Sequence, residues 1–334
     1  MSNSFTRRQV SAGLAAAAAG VTIIRRARAA EFTMRQYHNQ PVEAPLHKRI
    51  TEMWAAIETE TRGRVHVQVF PETNRDPNPL PKLVSGELEF LTLAGNGLSA
   101  LVPPCDVQAT PFSFKNSAQV YAAIDGDLGA YLRDELRAKG LYAVPFGCFE
   151  NGMHQTSITG RPVRNAADFQ GLKMRVPGSE LYQDFFRGLG ATIHTMNIAR
   201  MYAALKSGEI EAQDDPLDVM ELFKLYEIQK YVAMTDQSWS GYNLCANLKM
   251  WQALPADVQR VIETNVRKYA QLQRADTDRL NESLRTELQH RGMIFNEVDK
   301  ASFRPALTAF YPRWKAHVGT RAWDLMEKHA GKLG

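Results

Sequence analysis

Gly171-Leu172-Lys173-Met174-Arg175-Val176-Pro177 opens the stretch whose reading decides the fold, which runs through Leu189-Gly190-Ala191 and Ala203-Ala204-Leu205-Lys206-Ser207-Gly208 to Gln213-Asp214-Asp215-Pro216. Asn165, with Asp168 three residues on, predicts a helix start, and Gly171 a stop. Lys173–Val176 alternates as a strand that Pro177 closes. Ser179 then stands where a cap belongs, ahead of an apolar stripe of Leu181, Phe185, Phe186 and Leu189. A strand over 192–194, an Asn197 cap, a helix over 199–206 ending at Gly208 and a returning strand over 210–213 complete a β-α-β-α-β run. A lone arginine ends one short strand and an acidic pair ends a later one. In open α/β sheets the carboxyl ends of neighbouring strands face the ligand crevice, so Arg175 and Asp215 are the first candidates for contact with a ligand.

The rest of the chain sets the frame. At 334 residues it suits two domains of ordinary size, and 44% hydrophobic with 23% charged residues is a globular composition. The formal charge of +4 hints at anionic partners, but Arg7, Arg8, Arg25, Arg26 and Arg28 all lie in residues 1–29, which hold no acid. Removing those five from +4 leaves −1 for the remainder, so a nucleic-acid partner loses its support. The same 29 residues form an export signal: an arginine pair, an Ala-rich apolar run over 10–24, and Ala27-Arg28-Ala29 as a small-x-small cleavage pattern. Thr6-Arg7-Arg8-Gln9-Val10 fits a twin-arginine route as well as a general secretory one. The apolar run is shorter than a bilayer span, and the expected location is the periplasm. Three cysteines allow at most one internal disulfide, for which Cys148 with Cys245 is the pair to test. The other reading, which weighs more, is three buried small hydrophobes.

Along the chain, strands are expected over 32–38, 64–70, 88–93 and 141–149, helices over 47–61 and 117–137, and a turn at Gly95-Asn96-Gly97. Residues 255–292 carry a 3.6-residue apolar period through Val258, Ile262, Val266, Tyr269 and Leu272, and residues 302–333 read as helix packed on the outside. No phosphate loop, paired catalytic carboxylates or His-x-x-x-His spacing is present, so the chain is not read as an enzyme, and neither a cofactor nor a metal is expected.

Taken together, the strand ending Arg175-Val176-Pro177, the Leu189-Gly190-Ala191, the helix end Tyr202-Ala203-Ala204-Leu205-Lys206-Ser207-Gly208 and Gln213-Asp214-Asp215-Pro216 resemble, in order and spacing, the solute-binding proteins of TRAP transporters, the tripartite ATP-independent periplasmic carriers. The resemblance runs from about Phe32 into the helix after Pro255. It implies an α/β, two-lobed periplasmic-binding-protein-like fold, with mixed sheets flanked by helices and a long helix spanning both lobes. Lobe I would comprise 31–149 with about 240–275, lobe II 150–239 with about 276–300, and residues 301–334 would lie outside both. Chain crossings are expected near 149–151 and 235–242.

The family's arginine at the Lys-x-Arg-x-Pro position clamps a ligand carboxylate, which assigns that role to Arg175; a guanidinium offers two parallel donors to such a group. The family usually has Asn where Asp215 stands and often a second arginine where His154 stands, and its Gly-rich first loop is replaced here by Thr73-Asn74-Arg75-Asp76-Pro77-Asn78-Pro79. Asp215 accepts only, so it would take ligand hydroxyls, balance Arg175 or help hold a cation. His154 would keep a weakened cationic role or serve structure. Phe149 and Asn151 at the crossing strand, Asn197, His38, Asn39 and Asn96, and an aromatic wall from Trp239 and Tyr242 complete the expected site. The implied partners are a small organic acid and the small and large TRAP membrane subunits. A hydroxylated carboxylate such as a uronic or other sugar acid is favoured. An aromatic or keto acid is the alternative ligand, and a periplasmic sensor subunit the alternative role.

Overall fold

A computed structural model describes residues 30–71 and 79–333. The export signal and most of the departing loop at 73–79 lie outside the described residues. Eleven strands are described: Phe32–Tyr37 (β1), Val65–Phe70 (β2), Phe90–Ala94 (β3), Leu141–Met153 (β4), Gln155–Ile158 (β5), Lys173–Val176 (β6), Thr192–Thr195 (β7), Ala212–Asp215 (β8), Tyr231–Met234 (β9), Trp239–Asn247 (β10) and Ile294–Glu297 (β11). They form two mixed sheets flanked by helices, one in the order β2-β1-β3-β10-β4 and the other β11-β9-β5-β8-β6-β7. The β6-to-β8 run matches its sequence pattern closely. Lys173–Val176 is a strand as read, Asn165 and Asp168 form a reciprocal capping box, and Asn197 caps its helix by accepting from Ala199 N at 3.0 Å. Ser179 occupies the cap position before Glu180–Gly188, but its side chain makes no capping bond.

The chain passes between sheets at His154, the single residue between β4 and β5, and at 235–238, between β9 and β10. The first crossing lies beyond the expected 149–151 because β4 runs on to Met153, held by its pairing with β10. There Ser240 opposes Gly152 and Gly241 opposes Glu150, so Asn151 is the extra residue of a β-bulge. Gln273, on the 35-residue helix Ala256–His290, holds the bulged strand in place. Its Oε1 accepts from Glu150 N at 2.7 Å and its Nε2 donates to Glu150 O at 2.9 Å. That helix buries Val258, Ile262, Val266 and Ala270 on one stripe and Leu284 and Leu288 beyond, and packs on β4 in one half and near β11 in the other.

The terminal helices Arg304–Val318 and Thr320–Ala330 bury Phe310, Trp314, Trp323 and Met326 within the large core cluster. Trp314 Nε1 donates to Asp184 Oδ2 at 2.6 Å, on the helix after β6, while His329 Nε2 lies 2.7 Å from Asp127 Oδ1, on a helix preceding β4. All three cysteines are buried free thiols, so the Cys148–Cys245 pairing does not form and the three pack as small hydrophobes.

Arg274 ties the long helix to the first sheet. Its Nε and Nη2 donate to Cys148 O at 2.9 and 2.7 Å, its Nη1 and Nη2 to the Asp125 carboxylate at 2.6 and 3.0 Å, and its guanidinium lies 4.2 Å from the Tyr121 ring centroid. Removing one partner of such a pair leaves a partly buried charge uncompensated. Arg274→Ala is expected to cost about 3 kcal/mol in urea unfolding, with Arg274→Lys recovering only part, because an ammonium cannot reproduce the planar fork.

Candidate ligand-binding cavity

Parallel pairing brings the carboxyl ends of β6, β7 and β8 together, with Arg175 in register with His194 and Gln213. Facing them are the carboxyl ends of β1 and β3. Between the two sets lies a cavity of about 460 Å³, within the range of small-molecule sites. Arg175, Asp215, Asn151, His154, Asn197, Asn39, Asn96 and Tyr242 all line it, so eight of the eleven expected residues meet at one place.

Arg175 is 3% exposed, and its neighbours fix its orientation. Nε donates to Met196 O at 3.2 Å and Nη1 to Asp215 Oδ2 at 2.8 Å, while Nη2 makes no hydrogen bond with the described residues. Burial raises the Asp215 carboxyl to about 6, against the opposing pull of Arg175 and His154. His154 is also buried, held between Asp214 Oδ2 at 3.0 Å from Nδ1 and Ser240 Oγ at 2.7 Å from Nε2, with Tyr182 stacked on its ring. Burial lowers its pKa, but Asp214 and Asp215 more than offset this and the net direction is upward. Asn151 is committed at both ends of its amide: Nδ2 donates to Ser240 Oγ at 2.6 Å and Oδ1 accepts from Tyr242 Oη at 2.7 Å. Asn197 uses its Oδ1 for the helix cap and retains an amide NH₂ at the cavity wall.

Three expected residues stand elsewhere. Strand alternation puts Ser240 and Tyr242 on the cavity face of β10, which turns Trp239 to the opposite side, where its Nε1 donates to Glu150 Oε1 at 2.8 Å. Phe149 precedes the bulge and is fully buried in the core with Trp54 and Phe90. His38 is enclosed as well: Nε2 lies 3.0 Å from His47 Nδ1, and Nδ1 accepts from Gln40 N at 3.2 Å. Burial, with His47 beside it, lowers its pKa to about 3 and keeps it neutral.

A family model described as "Bacterial extracellular solute-binding protein, family 7" matches residues 37–317. This chain belongs to that family, the TRAP solute-binding proteins. It is similar to an uncharacterized protein, y4mM, of Sinorhizobium fredii, at 29% identity over 312 residues, covering 92% of this chain and 57% of that protein's length. It is also similar to the C4-dicarboxylate-binding periplasmic protein DctP of Rhodobacter capsulatus, at 26% identity over 321 residues, 94% of this chain and 96% of that one. Among solved structures, a TRAP periplasmic solute-binding protein of Roseobacter denitrificans with bound β-D-glucuronate superposes with a TM-score of 0.85 at 21% identity, covering 90% of this chain and all of that one. The two-lobed fold read from the motifs is therefore the fold of the family.

In this TRAP solute-binding protein, sequence reasoning missed Ser240, Gln40 and Met196 at the cavity wall. The signal for Ser240 was present, since it alternates with Trp239 and lies two residues from Tyr242 on one strand. The described residues contain no helix long and apolar enough to cross a membrane.

Glu150 lies just behind the wall, 2% exposed, and burial lifts its carboxyl from the ordinary 4.5 to about 7. Because the folded value exceeds the unfolded one, its stabilising contribution is complete below about pH 4 and is lost as pH rises through 7. His38 acts in the opposite sense, losing its contribution as pH falls below 6.5. The difference between parent and Glu150→Gln isolates the carboxyl. Between pH 5 and pH 8 the parent is expected to lose on the order of 2 kcal/mol more stability than the variant, read from urea midpoints at the two pH values.

Proposed function

We propose that this TRAP solute-binding protein captures a small hydroxylated monocarboxylate, a uronic or other sugar acid, in the periplasm and delivers it to the small and large membrane subunits of its transporter. The observation that carries this reading is one buried guanidinium, Arg175, whose Nη2 is left uncommitted beside a cavity with further polar lining from the amides of Asn39, Asn96 and Asn197, the hydroxyls of Ser240 and Tyr242, and the Asp215 carboxylate. A carboxylate takes charge-assisted hydrogen bonds from the guanidinium, and ring hydroxyls find acceptors and donors in Asp215, Asn197, Asn39 and Asn96. The Rhodobacter relative is named for C4-dicarboxylates, which carry two negative ends. Here the residue that would meet a second carboxylate, His154, already has both ring nitrogens engaged by Asp214 and Ser240, which favours a single acid group. Glucuronate, bound in the Roseobacter structure, has that character. Trp239 and Phe149 face away from the cavity, so of the expected aromatic residues Tyr242 alone lines it, which weighs against the aromatic-acid alternative.

In the same reading, β1 to β4 with β10 belong to lobe I and β5 to β9 to lobe II, and closure over the acid produces the form that the membrane subunits recognise. The protein would perform no chemistry on its ligand.

Thermal-shift titration with D-glucuronate, D-galacturonate and succinate tests the assignment, because a ligand bound only by the folded state raises the melting temperature by mass action. The uronates are expected to raise it and succinate to have less effect. Arg175→Ala is expected to abolish the shift while retaining native circular dichroism. A variant that bound its acid as tightly as the parent would overturn the carboxylate clamp.

A further inference from the structure

Asp214, His154 and Ser240 form a hydrogen-bonded row that ends at the cavity, and the clamp described above makes no use of it. Ser240 Oγ receives Asn151 Nδ2 at 2.6 Å and lies 2.7 Å from His154 Nε2, while Nδ1 of the same ring lies 3.0 Å from Asp214 Oδ2. Resting on the acid-binding reading of the cavity, we propose that Ser240 is a dedicated hydrogen-bond donor to the ligand carboxylate, its direction set by the Asp214–His154 pair and Asn151.

The argument is a count of donors and lone pairs. A hydroxyl has one hydrogen and two acceptor sites. Asn151 Nδ2 fills one acceptor site, while Asn151 Oδ1 accepts from the Tyr242 hydroxyl on its other side. When the imidazole carries both protons, Nδ1–H donates to Asp214 and Nε2–H fills the second acceptor site. The serine hydrogen then has no acceptor in the row and points into the cavity, where Ser240 is part of the wall. When the imidazole is neutral, Nδ1 keeps its proton and donates it to Asp214, so Nε2 becomes an acceptor and draws the serine hydrogen away from the ligand. The same hydroxyl is thus a donor to an anion in one state and withdrawn from it in the other.

Which state holds is set by what surrounds the ring. Asp214 and Asp215 face it from β8, Asp218 follows on the next helix, Arg175 opposes them from β6, and Tyr182 stacks at 5.4 Å without charge. Burial lowers the pKa of the ring, but Asp214 and Asp215 more than offset it, so the net direction is upward and favours the doubly protonated ring. An imidazolium cannot take the serine proton, so in that state the row positions a donor and does not activate a nucleophile.

The test uses D-glucuronate as probe, by calorimetry from pH 6 to pH 9, with ¹⁵N imidazole spectra of the unliganded protein at pH 7. Both His154 ring nitrogens are expected to be protonated at pH 7. The parent's affinity should be flat at the acid end and fall as pH rises through the His154 titration. Ser240→Ala should bind about ten- to a hundredfold more weakly, the worth of a hydrogen bond to a charged group, and should lose that pH dependence. Ser240→Thr, which retains the hydroxyl, should preserve both and serves as the folding control. Parent-like affinity in a folded Ser240→Ala, or a singly protonated His154 at pH 7, overturns the inference. If Arg175→Ala loses binding while Ser240→Ala does not, the clamp stands and this inference alone fails. Should the parent itself ignore the probe, the imidazole spectrum decides for or against the row on its own.

Discussion

The buried pair between Arg175 and Asp215 is the constraint on which the rest of the site depends. A guanidinium taken out of water needs a counter-charge and filled hydrogen bonds. Asp215 supplies the first at 2.8 Å and the Met196 carbonyl part of the second. Both come from the carboxyl ends of strands that parallel pairing places side by side or nearly so. The pair leaves one guanidinium nitrogen, Nη2, without a hydrogen bond to the described residues, and this is the opening that the proposed acid would fill.

The opposite wall has a different origin. One bulge in β4 swings Asn151 toward the cavity, and Gln273 stands in for a backbone partner where the ladder is broken. Asn151 then orients Ser240 and Tyr242 from the neighbouring strand. A polar network of this kind is costly when one member is missing, because each group is out of reach of water. Buried acids around it, Asp215 and Glu150 among them, have carboxyls raised toward neutrality by burial.

Much of this was legible in the residues. The β6-to-β8 run could be read almost residue by residue, because glycines, prolines and caps punctuate short elements whose register follows from pairing. Arg175, Asp215 and Asn197 stand at strand or helix ends, where position in sequence dictates position in the fold. Trp239, Phe149 and His38 were harder to place. Each neighbours a cavity residue, and which of two adjacent side chains faces inward turns on strand alternation and on a bulge that no composition signal announces. For the terminal helices, only the tertiary arrangement shows Trp314 meeting Asp184 and His329 meeting Asp127.

A rod of 35 residues, about 50 Å long, runs along both sheets. Its buried stripe is dense as far as Thr277 and resumes only at Leu284. Gln273 and Arg274 fasten the first part to β4 by hydrogen bonds, while the far end is held by leucine packing alone among its buried side chains. If one sheet rotates against the other, the near end cannot slip without breaking polar contacts. The strain must therefore fall on the thinly anchored turns between those two points, so the segment from 277 to 284 would work as the flexure of the whole assembly.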